Sequence, residues 1–317
     1  MKSQVQCALE CHGYTGNRSL TFAARSLRQL VFASRDREGA VSDAIGVFTI
    51  FGGAMLPRLF ALSVALLLPA FGATRVLVTV VDQSGAPVMG LQASNFSALD
   101  DKAPRKVQDA EFSSETLDIM LLLDTSIAGG MAMPLAEGIV DQLQPKEQMA
   151  VVAYHSSADL IQEFTSSKEM IMRAMSRIKF GNEPHVLDAI YASMEGFQNS
   201  PFRRVIILLT SGLEGSSRVS ERDVIRIAQR NQVSIFPAYV AGSERSMFEN
   251  LARQTGGASF NIPQMKRAGA AQPAPRIFDS VRGHYTLTLE GNLRLSDKLK
   301  IEVKSAPKAQ VSALPLD

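Results

Sequence analysis

Two short, largely apolar runs stand out in the pattern of hydrophobic and polar positions, and each ends abruptly in polar side chains. Residues 117–123, which are apolar except at Asp118, are followed by Asp124-Thr-Ser, and residues 205–209 by Thr210-Ser-Gly. Apolar runs of this length, with polar groups only at the end, are typical of buried parallel strands. We therefore predict that both polar groups lie at the carboxyl edge of an open α/β sheet, where such folds bind ligands.

Around these runs, strand-like segments alternate with segments of helical spacing. Helical spacing is found at 131–143, 167–178, 186–197, 220–231 and 246–255, and further strand-like segments are found at 148–154, 160–164, 234–240 and 258–262. This alternation predicts the fold class α/β, with a doubly wound, mostly parallel sheet and helices on both faces.

The segments on either side of this region have the period-two alternation of β structure. Before it come a β-branched strand at 75–82, a Gly/Pro turn at 83–87 and a predicted hairpin of 96–101 with 106–112. After it come two alternating strands, 284–290 and 298–304, with a turn at 289–293 between them. We predict that the two flanks form one small β subdomain. The expected units are a β segment at 74–115, the α/β domain at 116–265, a linker and last helix at 266–282, a β segment at 283–305 that pairs with 74–115, and a loose tail at 306–317.

Residues 55–73 have the composition of a secretory signal peptide. Arg58 precedes an apolar stretch at 59–68, and Ala70-Phe-Gly provides small residues at a cleavage position. The apolar stretch is too short to be a convincing membrane span. We expect residues 1–54 to be an over-extended start or a disordered leader, and the product to be secreted or periplasmic. An uncleaved signal anchor, lengthened by the apolar residues 44–54, is the alternative, so membrane contact is expected only through the signal peptide or anchor.

Composition and charge narrow the choice of partners. The chain has 317 residues, of which 46% are apolar, which supports a real core. Positions 1–72 hold seven basic and four acidic residues, and subtracting these from the totals of 33 and 31 leaves 26 basic and 27 acidic residues. We therefore expect no nucleic-acid partner. Both cysteines, Cys7 and Cys11, lie in the leader, so the main body has no Cys-based zinc site or disulfide framework.

Three short motifs resemble the von Willebrand factor type A (VWA) domain superfamily. They are Leu-Leu-Leu-Asp124-Thr-Ser, Leu187-Asp-Ala-Ile and Ile-Ile-Leu-Leu-Thr210-Ser-Gly, in this order and spacing. The β segment at 75–112 is similar to the one that precedes the A domain in bacterial VWFA-related proteins, known mainly from acidobacteria. The resemblance implies a bacterial export product with the A-domain fold. It also implies a site where three loops supply oxygen ligands to Mg²⁺ or Mn²⁺ for adhesion.

At each of these loops the sequence departs from the family pattern. The family has Asp-x-Ser-x-Ser, then a Thr, then an Asp, whereas this chain has Ala128 at the last serine, Pro184 at the threonine and Ser211 at the second aspartate. The matched metal ligands are then Asp124 and Ser126. A magnesium site relies on carboxylates, and only Asp124 remains. We therefore expect a degenerate site without a resident cofactor and with at most weak Mg²⁺ or Mn²⁺ binding, in which Asp124 and Ser126 cap or close a loop.

The function that we predict is that of an exported, non-catalytic protein-binding module with a protein or extracellular-matrix-like ligand. The candidate residues of its binding face are Thr125, Glu183, Thr210, Ser211 and Glu214. One alternative is a metal-dependent adhesion module, rebuilt with Glu183 or Glu214 as a further ligand. Another is a hydrolase that uses Ser211 as a nucleophile.

The hydrolase alternative needs a base and a positioned nucleophile. His155, His185 and His284 are the candidate bases. The chain has no Gly-x-Ser-x-Gly sequence, which a nucleophile elbow would need. This absence is why we expect a protein that is not an enzyme.

Overall fold

A six-stranded sheet forms the centre of the structure. The structure is a computed structural model, and it describes residues 73–197, 201–291 and 299–316. The strands are β1 (Ala73–Val81), β2 (Phe96–Asp100), β3 (Ala103–Arg105), β4 (Val107–Ser114), β5 (Leu117–Asp124), β6 (Gln148–Tyr154), β7 (Ala158–Thr165), β8 (Arg203–Thr210), β9 (Val233–Tyr239), β10 (Phe260–Asn261), β11 (Gly283–Glu290), β12 (Lys300–Val303) and β13 (Gln310–Pro315). The helices are α1 (Met133–Asp141), α2 (Lys168–Met175), α3 (Val186–Ser193), α4 (Glu221–Arg230), α5 (Arg245–Gln254), α6 (Ile262–Arg267) and α7 (Pro273–Arg282).

The strand order of the central sheet is β7-β6-β5-β8-β9-β10. All neighbours are parallel except β6 and β7, which form an antiparallel pair at one edge. This is the order of a doubly wound sheet, in which the chain works outward from the middle in both directions. The switch point lies between β5 and β8. The predicted α/β fold class is confirmed.

Helices on both faces explain why the central residues of β5 and β8, 119–123 and 205–209, are apolar rather than alternating. Ile119, Leu121 and Leu123 of β5 pack on one face, in the core that includes residues of α1 and α7. Met120 and Leu122 point to the other face, in the core with α3 and α4. A strand buried on both sides needs apolar residues on both faces, which is the pattern that these two runs show.

The two flanking segments pack together beside this domain. They form a four-stranded sheet, β13-β1-β11-β4, and a three-stranded sheet, β12-β2-β3. Apolar side chains from both sheets share one core, in which Val76 and Leu287 of the first meet Ile301 of the second. The Phe96 ring lies edge-on to Tyr285, with the ring centroids 5.3 Å apart. The subdomain is therefore a small sandwich.

Several predicted pairings and boundaries are wrong. β11 pairs with β1 and β4, and β12 pairs with β2 in the other sheet, so the two late strands form no hairpin. The early hairpin joins β2 to β3, while β4 leaves for the other sheet. The tail expected to be loose forms β13, which pairs with β1 from Val76–Pro315 to Val81–Gln310. The boundary at residue 265 falls inside α6. Alternation identifies a strand but does not select its partner, which explains these errors.

The amino edge of the central sheet meets the sandwich through buried charges. Arg203, at the start of β8, donates to the carbonyl of Val281 at 2.6 Å, and burial lowers its pKa to about 10. Burial, with the charge of Arg203 next in importance, lowers the pKa of His284 to about 4. The buried Glu147 carboxylate accepts two hydrogen bonds of 2.7 Å from Arg282. Arg282 ends α7 and β11 begins at Gly283, so these contacts fix the point at which the chain passes from the α/β domain into the sandwich.

The predictions for residues 1–54 and for the signal peptide concern a part of the chain outside the described residues, apart from Ala73 in β1. Within the described ranges, every helix is too short or too polar to cross a membrane.

Candidate functional site

Asp124 is the last residue of β5 and lies at the switch point of the sheet, with only 1% of its surface exposed. Its Oδ1 accepts the Ser126 N–H at 2.9 Å. Its Oδ2 accepts the Ser211 N–H at 2.8 Å and the Ser211 hydroxyl at 2.6 Å. A buried carboxylate needs such donors, because burial without them costs several kcal/mol. The anion is therefore held by three protein hydrogen bonds from two loops.

Ser211 occupies the position where the VWA pattern has an aspartate. Its side chain is fully buried at the end of β8, and its hydroxyl hydrogen goes to Asp124. An aspartate here would add a second negative charge beside the first, as a metal site requires. The serine instead supplies two hydrogen bonds and joins the end of β5 to the end of β8.

Gly129 closes the first loop tightly over Asp124. A Cβ on Gly129 would lie 2.0 Å from the Asp124 backbone oxygen and 2.6 Å from Oδ1. No side chain fits there, and the glycine N–H donates to the Ser126 carbonyl at 2.9 Å. Gly212, in the third loop, has φ +95° and equally little room, since a Cβ would lie 2.2 Å from the Ala241 carbonyl oxygen. These two glycines are required by the backbone path.

One buried hydroxyl near Asp124 lacks a partner. The Ser126 hydroxyl has no hydrogen bond within the described part of the chain. Burial raises the pKa of Tyr154 well above its ordinary value, and the charge of Asp124 raises it further. Thr125 differs, because its hydroxyl donates to the Tyr154 carbonyl at 2.9 Å. Unsatisfied buried hydroxyls are rare, so Ser126 is a position where water or a ligand can add a bond.

The residues present do not fit a Mg²⁺ ligand set. Magnesium needs near-octahedral oxygen coordination and relies on one or two carboxylates. Asp124 is already engaged by three donors, Pro184 has no side-chain oxygen, and Ser211 acts as a donor. Across the described ranges, no group of three or more His, Cys, Asp or Glu side chains is placed to hold a metal ion.

The two glutamates that were candidate replacement ligands lie in different environments. Glu183 is exposed on the second loop. Glu214 is partly buried, and its carboxylate accepts the Val186 N–H at 2.8 Å and the Ser217 N–H at 3.2 Å. Burial raises the pKa of Glu214. Because Val186 is the first residue of α3, Glu214 caps that helix and is not free to bind a cation.

The three loops form one hydrogen-bonded surface. The first and second loops meet where Gly181 N–H donates to the Thr125 carbonyl at 2.8 Å, and the second and third where Gly215 N–H donates to the Pro184 carbonyl at 2.7 Å. Asp188, the acid of the Leu-Asp-Ala motif, accepts the N–H groups of Arg218 and Val219, both at 2.9 Å. Thr210 accepts the Gly212 N–H at 3.1 Å. Most of the predicted polar face residues therefore hold loops together.

Sequence reasoning missed the apolar side chains on the same loops. Four of them are exposed, by 84%, 61%, 54% and 40% respectively: Ile127, Met131, Phe180 and Leu213. We name these four residues the apolar rim. The Phe180 ring lies over Gly130, with its nearest atom 3.6 Å from where a Cβ would stand. The available signal was large apolar residues within Gly- and Ser-rich loops, where the chain should be polar. Clustered exposed apolar residues are typical of interaction surfaces.

The candidate hydrolase nucleophile has none of the three histidines as a partner. The Ser211 hydroxyl is buried and bound to Asp124. His155 contacts Ser156, with Nδ1 to Oγ at 3.0 Å, and His185 lies 3.9 Å from Asp188. His284 is bound at the opposite edge, where its Nε2 lies 3.1 Å from the Ser113 hydroxyl. The arrangement gives Ser211 none of the histidine bases that the sequence offered, and its hydroxyl hydrogen goes to the buried Asp124 carboxylate.

No protein-family model and no curated protein matches the sequence. Among solved structures, the SpRpn10 VWA domain is similar at 14% identity and TM-score 0.38, covering 46% of this chain and 87% of that one. The mussel byssus protein PTMP1, with a zinc-occupied MIDAS motif, is similar at 18% identity and TM-score 0.48. The match covers 58% of this chain and 50% of the PTMP1 chain. BatB from Bacteroides thetaiotaomicron shares 13% identity at TM-score 0.41, covering 52% and 98%. At these identities the likeness concerns the fold alone.

Proposed function

We propose that this chain is a non-catalytic protein-binding module that engages its partner through the three loops at the carboxyl edge, without a divalent cation. The observation that carries the proposal is the apolar rim around a carboxylate that protein donors already satisfy. Burying one large apolar side chain in a complex contributes about 1.5–3 kcal/mol, so a few of them suffice for specific binding.

The role of Asp124 in this proposal is structural. Its three hydrogen bonds hold the first and third loops in register, and Glu214 and Asp188 do the same for the second and third. Rigid loops lose less conformational entropy on binding than flexible ones. The hydrogen bonds of these carboxylates therefore keep the loops that carry the apolar rim in a fixed arrangement.

The location that we propose is extracytoplasmic, either secreted or periplasmic. The support is the signal-peptide composition of residues 55–73. The partner is then a protein or an extracellular-matrix-like ligand of that compartment. Catalysis by Ser211 is not part of the proposal, because its hydroxyl is buried, bound to Asp124 and without a histidine partner.

The test is capture of a partner in the presence of EDTA, with matched variants of the full chain. We expect Ile127→Ser with Phe180→Ser to abolish capture, since both side chains leave the apolar rim. Met89→Ser is the control, because Met89 is also an exposed large apolar residue but lies in the sandwich segment. Affinity of the captured partner is measured by calorimetry. Capture that survives the double variant, or that requires Mg²⁺, would refute the proposal.

A second candidate, the metal-dependent adhesion module with a rebuilt site, is favoured by one observation. The Ser126 hydroxyl is buried next to Asp124 and lacks a hydrogen-bond partner in the described ranges. Titration of the full chain with Mg²⁺ and with Mn²⁺, beside Asp124→Ala, separates the two candidates. Heat of binding that the variant loses supports the metal-dependent module. No heat in either protein supports the cation-independent one.

A further inference from the structure

We infer that the partner of this face is a basic, apolar protein segment, in which Lys or Arg side chains flank large apolar residues. The inference rests on the proposed function and specifies the chemistry of its ligand. The observation behind it is an excess of carboxylates on the loops that carry the apolar rim.

The charge count at this edge covers the segments 125–132, 155–159, 176–188, 211–219 and 240–245, all of which the structure describes. Besides Asp124, they hold five carboxylates: Asp159, Glu183, Asp188, Glu214 and Glu244. They hold four basic residues: Arg177, Lys179, Arg218 and Arg245. The last of these is bound to a glutamate of its own helix, since Arg245 Nε lies 2.6 Å from Glu249 Oε1. The edge is therefore acidic, whereas residues 73–317 are nearly neutral, with 26 basic and 27 acidic residues.

An acidic ligand has little to bind here. A carboxylate ligand approaching Asp124 would need a cation between the two anions, and the residues present do not fit one. Close like charges cost binding energy, while opposite charges favour the encounter of two proteins. A cationic side chain reaches the same rim without any bridging ion.

Glu183 is the carboxylate best placed to contact a Lys or Arg side chain of the partner. It is exposed in the second loop, between Gly181 and the buried Pro184, and three residues from Phe180 of the apolar rim. Glu214 and Asp188 are poorer choices for a test, because their carboxylates hold backbone N–H groups. A substitution at Glu183 changes the charge of the rim and leaves these bonds in place.

The experiment selects ligands from a random peptide library displayed on phage, with the full chain as target and EDTA present. We expect enrichment of peptides that combine Lys or Arg with Leu, Ile, Phe or Met. Binding of the selected peptide to Glu183→Gln should weaken about threefold, and to Glu183→Lys about fivefold or more. It should also weaken as salt rises from ~50 mM to ~500 mM, because screening acts on exposed charges. The control Glu195→Gln lies beyond α3, at the opposite edge, and should bind as the wild type does.

The outcomes separate this inference from the proposed function. Peptides that require Ile127 and Phe180 but are neutral or acidic, or that bind Glu183→Lys unchanged, overturn the inference and leave the binding module in place. Recovery of no peptide that depends on Ile127 and Phe180 overturns both. Basic, apolar peptides that lose affinity for Glu183→Gln, for Glu183→Lys and for the double variant Ile127→Ser with Phe180→Ser support both the inference and the proposed function.

Discussion

The two edges of the central sheet hold their buried charges in different ways. At the carboxyl edge, Asp124 is balanced by neutral donors from Ser126 and Ser211. At the amino edge, the buried Glu147 is balanced by the full charge of Arg282. The Arg282–Glu147 pair lies where the chain passes from α7 into β11, so its removal should damage the fold. The exposed side chains of the apolar rim at the carboxyl edge take no part in that junction and can serve binding.

The largest effect is expected at the amino edge, from Arg282→Ala. The substitution leaves the buried Glu147 carboxylate without a counter-ion, which costs about 3–5 kcal/mol in the free energy of unfolding. Denaturant unfolding measures this loss. The matched control is Arg226→Ala, whose partner Asp223 is exposed, and it should cost under about 1 kcal/mol. Equal effects of the two variants would show that the junction is not held by this pair.

Acid should weaken the same edge through His284. Its pKa is lowered from the ordinary 6.5 to about 4 by burial and by Arg203, so protons bind preferentially to the unfolded chain in that interval. Stability is therefore full above pH 6.5 and falls as the pH drops toward 4, by about 3 kcal/mol at most. Unfolding curves of wild type and His284→Gln across this interval test the claim. The difference between them should shrink with acid, and a constant difference would contradict it.

At the carboxyl edge, Asp124→Asn should cost about 2 kcal/mol in the free energy of unfolding. Both carboxylate oxygens accept N–H groups, so the new amide faces a donor with its own NH₂ in either orientation. Ser211→Ala is the milder companion, because it removes one hydroxyl bond and keeps the backbone one, at about 1 kcal/mol. Thermal or denaturant unfolding measures both. If Asp124→Asn left the free energy of unfolding unchanged, the carboxylate would not be what holds the first and third loops together.

The smallest effect on stability is expected from Phe180→Ser. The ring is more than half exposed, so its loss should change the free energy of unfolding by only about 0.5 kcal/mol or less. The same substitution should strongly weaken partner binding. This opposition sharpens the contrast between the two edges, because Arg282→Ala should do the reverse. A large loss of stability in Phe180→Ser would mean that the apolar rim belongs to the core.

The sequence predicted the central fold because β5 and β8 are buried on both faces, and burial of that kind is visible as an unbroken apolar run. The position of Asp124 beside Ser211 also followed, since consecutive halves of a doubly wound sheet meet at the switch point. The direction of their hydrogen bonds did not follow. It depends on the backbone path through Gly129 and Gly212, which no residue pattern encodes.

The sandwich was harder to predict because its strands pair across long separations in sequence. β1 and β13 alternate no more clearly than strands that never meet, and a register is set only when the final packing exists. The apolar rim was missed for a related reason. Ile127 and Phe180 are of the type found in cores, and only the structure shows that the loops turn these side chains outward.

The pairing of β1 with β13 also has a consequence for incomplete copies of this protein. β1 is the first described strand to be synthesised and β13 the last, with the whole α/β domain between them. All strands of the central sheet lie between them in sequence, whereas the four-stranded sheet needs both ends of the described chain. A product that stops before Gln310 would leave β1 with an open edge, and open edges recruit other chains into aggregates. The last strand therefore protects the first from such pairing.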